Sequence, residues 1–246
     1  MNPVDVTQPQ RTPLFKGLPR LYANYRRLSI FCRGSEDGIR AALPDGLEYV
    51  DNQFEIFIME CPEVYDQSNP TMGPRHYLEG GVVITAGFEG LKGGHVLYEY
   101  VTTDDAMAGG REIFGYPKKL ADVTFDEGLD GTVRATVTRL GYCLIDAAFK
   151  PEDKVAFPKP ALHPRLQIKQ ISRVDGAGYD VDQIVRVDLK DFKFKSSVLG
   201  SAAVRLGGRV NMDPLFELGL ESVLGAEMLV GDFVLGPGSI HRDRLK

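Results

Sequence analysis

Apolar and polar positions alternate along most of this chain, and long helical stripes are missing. The stretch "RRLSIFCR" (residues 26–33) has the two-residue period of a strand. "QFEIFIME" (53–60), "GVVITAGF" (81–88) and "HVLYEYVTT" (95–103) read the same way. So do "GTVRATVTRL", "YCLIDAAFK", "LQIKQISRV", "QIVRVDLKDF", "KSSVLGSAAVRL" and "AEMLVGDFVLG", each bounded by turn residues. Only three short helices interrupt them. "SEDGIRAALP" has Ser35 as its N-cap and Pro44 as its stop. "DDAMAGGREIFG" is capped by Asp104, weakened by Gly109 and Gly110, and ended by Gly115 and Pro117. "DPLFELGL" supplies a single short turn. Residues 1–20 are expected to form an extended arm, because Pro3, Pro9, Pro13 and Pro19 interrupt every helical turn, and residues 21–246 are expected to form one domain. The expected fold is mainly β with a few short helices. No helix is long enough for parallel crossovers, so the sheet is expected to be largely antiparallel and to close on itself, which removes exposed edges.

Composition narrows the class. At 246 residues, 43% hydrophobic and 26% charged, the chain can bury a sizeable core. A formal net charge of −5 argues against general affinity for nucleic acid or an anionic membrane. No run of about 18 apolar residues is present to span a bilayer, and the proline-broken start has no apolar signal core. Cys32, Cys61 and Cys143 make neither a disulfide framework nor a zinc pattern, so the cytoplasm is the expected compartment.

Most candidate motifs reduce to structure. "FEGLKGGHV" lacks the spacing of a phosphate loop and reads as a turn between strands. His76, His95, His163 and His241 show no paired metal spacing, so no metal or other cofactor is expected. "DEGLDG" is a polar hairpin turn rather than a calcium loop. That leaves "REIFGYPKKL" (111–120), where Lys118 and Lys119 stand together behind Ile113, Phe114 and Tyr116. On a solvated surface the pair would be inert. In a pocket one lysine could be driven to its neutral, nucleophilic form.

The segment "GREIFGYPKKL" strongly resembles the active-site segment of the acetoacetate decarboxylase family. "YLEGG", with Glu79, stands at the family's distance upstream, and "FEI" at residues 54–56 matches another family segment. "RGSEDGIRAALPDGLE" looks like the family's early helix and "GDFVLGPGSIHRDRLK" like its last strand. The resemblance implies an antiparallel β barrel or cone with an internal pocket, assembled into symmetric homo-oligomers. It implies Lys118 as the Schiff-base nucleophile, Lys119 as the neighbour credited with lowering its pKa, and Glu79 as a pocket carboxylate. The same resemblance implies Glu55 as a second pocket carboxylate, and Phe114 and Tyr116, which precede the lysine pair, are expected to provide an apolar wall. The family's arginine for the substrate carboxylate falls, by ungapped alignment from Arg33, on Tyr25; Arg26 comes one residue later and Arg27 two. Arg26 or Arg27 is expected to serve instead, and a one-residue slip along a strand changes the face.

The chemistry needs a neutral amine, since a protonated imine is the electron sink for a departing carboxylate. An ordinary lysine, with a pKa of about 10.4, is neutral in only about one molecule in 2,500 at pH 7. Burial or a neighbouring cation can lower that pKa, and acetoacetate decarboxylase is itself a standard example of such activation. If the two lysines are extended they point to opposite faces, which makes burial the larger cause. The expected function is therefore a carbon–carbon lyase that decarboxylates a small β-keto acid through Lys118. An aldolase or dehydratase acting on keto or aldehyde substrates through the same lysine is the alternative. A non-catalytic barrel that binds a small apolar ligand is the third reading.

Overall fold

The computed structural model describes residues 13–15, 17–68, 73–153 and 156–246. The arm expected over residues 1–20 lies largely outside the described residues. Strands dominate, as the alternation predicts. They are β1 (Arg20–Gly34), β2 (Glu48–Asp66), β3 (Arg75–Phe88), β4 (Leu91–Val101), β5 (Lys118–Leu120), β6 (Asp122–Glu127), β7 (Val133–Arg139), β8 (Tyr142–Pro151), β9 (Arg165–Ser172), β10 (Tyr179–Val187), β11 (Leu189–Leu206), β12 (Leu220–Leu235) and β13 (Ser239–Asp243). Helix α1 (Glu36–Ala42) follows β1, and Ser35 caps it by accepting from the Gly38 amide at 3.1 Å. Helix α2 (Asp104–Gly109) runs into a π-helical turn, Gly110–Phe114. Its N-cap is Thr103 rather than the expected Asp104, and no side chain caps it. "DPLFELGL" contributes a 3₁₀ turn, Leu215–Leu218.

The strands form one sheet in the order β13-β10-β9-β4-β3-β2-β1-β12-β11-β8-β7-β6, with β5 added beside β4. Pairing is antiparallel except for β4–β5 and the single β4–β9 pair, Gly94 with Arg165. The path has two ends, β6 and β13, so the ladder is not strictly closed, in contrast to the closed barrel expected.

The two-residue period sorts side chains onto two buried faces. Leu28, Ile30 and Cys32 of β1 share one core with Phe54, Ile56 and Ile58 of β2 and with Val133, Ala135 and Val137 of β7. The β6–β8 end of the sheet therefore folds back over that face. The other face carries Tyr25 and Phe31, then Phe57 and Met59, packed with Tyr77, Phe114 and Tyr116. This second face holds a cavity of about 340 Å³.

Candidate active site

Lys118 owes its position to the turn before it. Gly115 ends the π turn at φ 78°, a left-handed conformation that glycine adopts without strain. Pro117 follows, the Lys118 amide donates to the Tyr116 carbonyl at 2.8 Å, and β5 then joins β4 in parallel, with Lys118 beside Glu99. The lysine stem crosses Gly110 so closely that a Cβ there would stand 2.6 Å from Lys118 Cδ and 2.8 Å from Cε. The "GGRE" glycine is thus the groove in which the lysine lies.

Lys118 is only 7% exposed and points into the cavity. Its Nζ donates to Glu79 Oε2 at 2.7 Å and stands 3.7 Å from Glu99 Oε1, with the Tyr77 and Tyr116 rings at 5.7 and 5.9 Å. Burial pulls the lysine pKa down, but the Glu79 and Glu99 carboxylates pull it up further, so the net direction is upward. This corrects the expectation that the surroundings depress it. The expectation counted burial and a neighbouring cation and left out the pull of the two carboxylates, Glu79 first and Glu99 second. Glu99 is itself shifted up, to about 8, mainly by burial and against the pull of Lys118. Its Oε2 has no hydrogen-bond partner among the described residues.

Lys119 takes the opposite face, as an extended pair requires. Its Nζ donates to Asp213 Oδ1 at 2.6 Å and to the Met212 carbonyl at 2.9 Å, and its side chain is 35% exposed. It is not among the residues that line the cavity.

A second charged group lines the same cavity. Glu55 Oε1 accepts from Arg27 Nη2 at 2.9 Å, Arg27 Nε at 3.1 Å and Ser29 Oγ at 2.5 Å, and Arg165 Nη2 lies 3.6 Å from Glu55 Oε2. Burial alone would raise the Glu55 pKa; Arg27 and Arg165 outweigh it and hold the carboxyl below its usual 4.5. Arg27 lies 4.1 Å from the Phe57 ring centroid, and Arg165 Nη1 donates to the Leu162 carbonyl at 2.7 Å. The remaining wall is aromatic and aliphatic, including Tyr22, Tyr25, Phe192, Phe233, Leu189 and Leu229.

Of the residues expected from sequence, Lys118, Glu79, Glu55 and Tyr116 meet in this cavity. Phe114 does not line it; fully buried, it backs Tyr116 with ring centroids 5.7 Å apart. Arg26 points to the other face of β1, bonded to Glu60 at 2.7 Å and to Glu127. Arg27 takes the cavity position, because a two-residue step from Tyr25 keeps the face and a one-residue step loses it. Glu99 and Arg165 were not singled out from the sequence. Their signal is a lone charge in an otherwise apolar run, "YEY" for one and "PRLQI" for the other. Among the described residues no cluster of three or more His, Cys, Asp or Glu side chains is arranged to hold a metal ion, and no helix is long and apolar enough to cross a membrane.

The chain is similar to known proteins in sequence and in fold. A sequence model described as acetoacetate decarboxylase matches residues 3–245. An acetoacetate decarboxylase of Paraburkholderia phytofirmans is 29% identical over 240 residues, covering 96% of this chain and 92% of that protein. A solved acetoacetate decarboxylase structure superposes with a TM-score of 0.85 at 22% identity, over 98% of this chain and 96% of that one. The enduracididine biosynthesis enzyme MppR, solved with the condensation product of pyruvate and imidazole 4-carboxaldehyde, superposes with a TM-score of 0.81 at 17% identity, over 98% of this chain and 97% of its own.

Proposed function

Because the chain belongs to the acetoacetate decarboxylase family, we propose that it is a carbon–carbon lyase that decarboxylates a small β-keto acid through an imine on Lys118. The observation that carries the reading is one cavity shared by a lysine in contact with a carboxylate and by two arginines with one carboxylate between them. The arginine group has a surplus positive charge, which suits a substrate carboxylate. The lysine has a proton acceptor at 2.7 Å, which suits a nucleophile that must become neutral.

The reaction starts when Lys118 passes its proton to Glu79. Water expelled by the arriving substrate favours this transfer, because an ion pair loses more solvation than its neutral counterpart. The amine adds to the keto carbon, the carbonyl oxygen is protonated, and water leaves to give a protonated imine. The carbon–carbon bond to the carboxylate breaks, its electron pair moves into the imine to form an enamine, and carbon dioxide departs. A proton taken up from solvent adds to the enamine carbon, and hydrolysis of the imine releases the ketone and restores Lys118.

A second reading keeps the lysine and lets the enamine attack an aldehyde. The size and aromatic wall of the cavity favour it: about 340 Å³ falls within the range of roughly 300–1,000 Å³ typical of sites for drug-sized ligands. The likeness to MppR, whose bound molecule is such a condensation product, points the same way. A substrate panel that scores carbon dioxide release beside aldehyde consumption separates the two. Carbon dioxide from a β-keto acid without aldehyde supports the first reading; aldehyde consumption with pyruvate and no carbon dioxide supports the second. Neither product, together with tight binding of an apolar ligand, would favour a non-catalytic barrel.

The same reading carries a cytoplasmic homo-oligomer. Supporting it, β11 pairs only with β12 over residues 189–199 among the described residues, and exposes Phe192, Phe194 and Val198 there. A monomer in light scattering across a wide concentration range would count against it.

A further inference from the structure

Glu99 stands beside the reactive lysine without a hydrogen bond to it. Its Oε1 is 3.7 Å from Lys118 Nζ, beyond hydrogen-bond range, and its buried Oε2 has no partner among the described residues. Glu79 already holds the lysine at 2.7 Å. The ionisable groups around Glu99 come from four elements and one turn: Lys118 on β5, Glu79 on β3, Arg165 on β9, Arg27 on β1, and the Tyr116 phenol before β5. An ionised carboxylate with an unbonded oxygen in such a place carries a large desolvation cost, and a protonated one carries less. Burial, the largest influence, and Glu79 raise its pKa, while Lys118, Arg165 and Arg27 lower it; the balance leaves Glu99 protonated at neutral pH.

We propose that Glu99 is a catalytic acid of this site, donating a proton to the hydroxyl that leaves the carbinolamine on Lys118 and recovering it when the imine is hydrolysed. The proposal rests on the Schiff-base reading above. Glu79 has taken the ammonium proton, and the amine has added to the keto carbon to give a carbinolamine. The Glu99 carboxyl proton passes to the carbinolamine oxygen, the carbon–oxygen bond breaks, water departs, and the nitrogen lone pair forms the protonated imine. Glu99 is left as a carboxylate facing that cation. In hydrolysis a water adds to the imine carbon and returns its proton to Glu99. Two carboxyls thus divide the labour: Glu79 serves the nitrogen and Glu99 serves the oxygen.

Charge balance around the cavity agrees. With Glu99 neutral, Arg27, Arg165 and Lys118 face Glu55 and Glu79, and a substrate carboxylate completes the balance. An ionised Glu99 would oppose that carboxylate.

The test uses Glu99→Gln, which keeps the size and polarity of the side chain and removes the acid. Glu99→Met serves as a second variant should the first fold poorly. Three quantities are measured from about pH 6 to about pH 10: kcat/KM, the rate of the borohydride-trappable adduct, and loss of ¹⁸O from labelled ketone product. The wild type should lose rate above about pH 8. Glu99→Gln should be slower by about 10²–10⁴-fold in oxygen exchange and adduct formation, and should lack that alkaline fall. A variant that keeps the alkaline fall, or exchanges oxygen at the wild-type rate, overturns the assignment. A wild type that forms no adduct at all overturns the Schiff-base premise, and the inference with it. A wild type that forms the adduct, beside a Glu99→Gln that forms it just as fast, overturns the inference alone.

Discussion

The cavity has two charged poles built on opposite plans. At one, Arg27 and Arg165 share Glu55: two cations and one anion. At the other, Glu79 and Glu99 flank Lys118: two carboxyls and one amine. The arginine pole cannot relieve its surplus, because a guanidinium does not give up its proton in a protein. It can only recruit an anion. The lysine pole can relieve its surplus by keeping a proton on Glu99, whose pKa is pushed up to about 8, and Lys118 has Glu79 within hydrogen-bond reach as a proton acceptor. Fixed charge suits binding and movable protons suit chemistry, and the strand period delivers both to one face.

Glu55→Gln should break the arginine pole most severely, since it leaves two buried guanidinium groups facing each other. A loss of about 3–5 kcal/mol in chemical denaturation is expected. Its pH dependence is diagnostic. The folded Glu55 pKa lies below its ordinary 4.5, so its stabilising contribution is complete above the unfolded value and disappears as pH falls through the folded one. The wild-type advantage over Glu55→Gln should therefore shrink in acid; an advantage that grows there would contradict the pairing.

Gly110→Ala attacks the other pole through its groove. The new methyl would meet Lys118 Cδ and Cε, the movable part of a side chain, and displace the amine. A misplacement of about 1 Å should lower kcat by about 10²-fold with little change in melting temperature. An unchanged kcat would show that the lysine has room to adjust.

Arg165→Met sharpens the division between the poles. Loss of one guanidinium should raise KM for a keto acid by roughly 30-fold, about 2 kcal/mol, while the adduct at Lys118 still forms at saturating substrate. A fall in kcat with KM unchanged would place Arg165 in the chemistry and blur the contrast.

How much of this was legible in the sequence follows from the range of each signal. Lys118 and Glu79 belong to compact motifs, and their meeting was foreseen. The opposite facing of Lys118 and Lys119 followed from the strand period alone. The same period sets Arg26 and Arg27 on opposite faces but leaves open which of them enters the cavity; Arg27 does, and Arg26 bonds Glu60 and Glu127 on the far side. Ungapped alignment could not see the irregularity at the start of β1, where Asn24 has φ 56° and the register with β12 shifts between Tyr22 and Tyr25. Glu99 passed as one polar residue in an apolar strand; its meaning depends on β5 arriving beside it, a contact set by the intervening turn. Closure of the sheet depends on pairing between its remote ends, β6 and β13, about which local alternation is silent.

The smallest expected effect belongs to Lys119. Its partly exposed bond to Asp213 should be worth about 1 kcal/mol or less, and Asp213 keeps the Tyr100 hydroxyl at 2.9 Å without it. Lys119→Ala should therefore fold and react nearly as the wild type does. Loss of activity with the fold intact would show that its charge reaches the pocket after all.

Whether Lys118 is the nucleophile is decided by borohydride reduction during turnover of a β-keto acid, followed by peptide mass analysis. Added mass is expected on the peptide carrying Lys118, with none in Lys118→Ala and retention in Lys119→Ala. Added mass on Lys119, or none on the wild type while substrate is consumed, would contradict it.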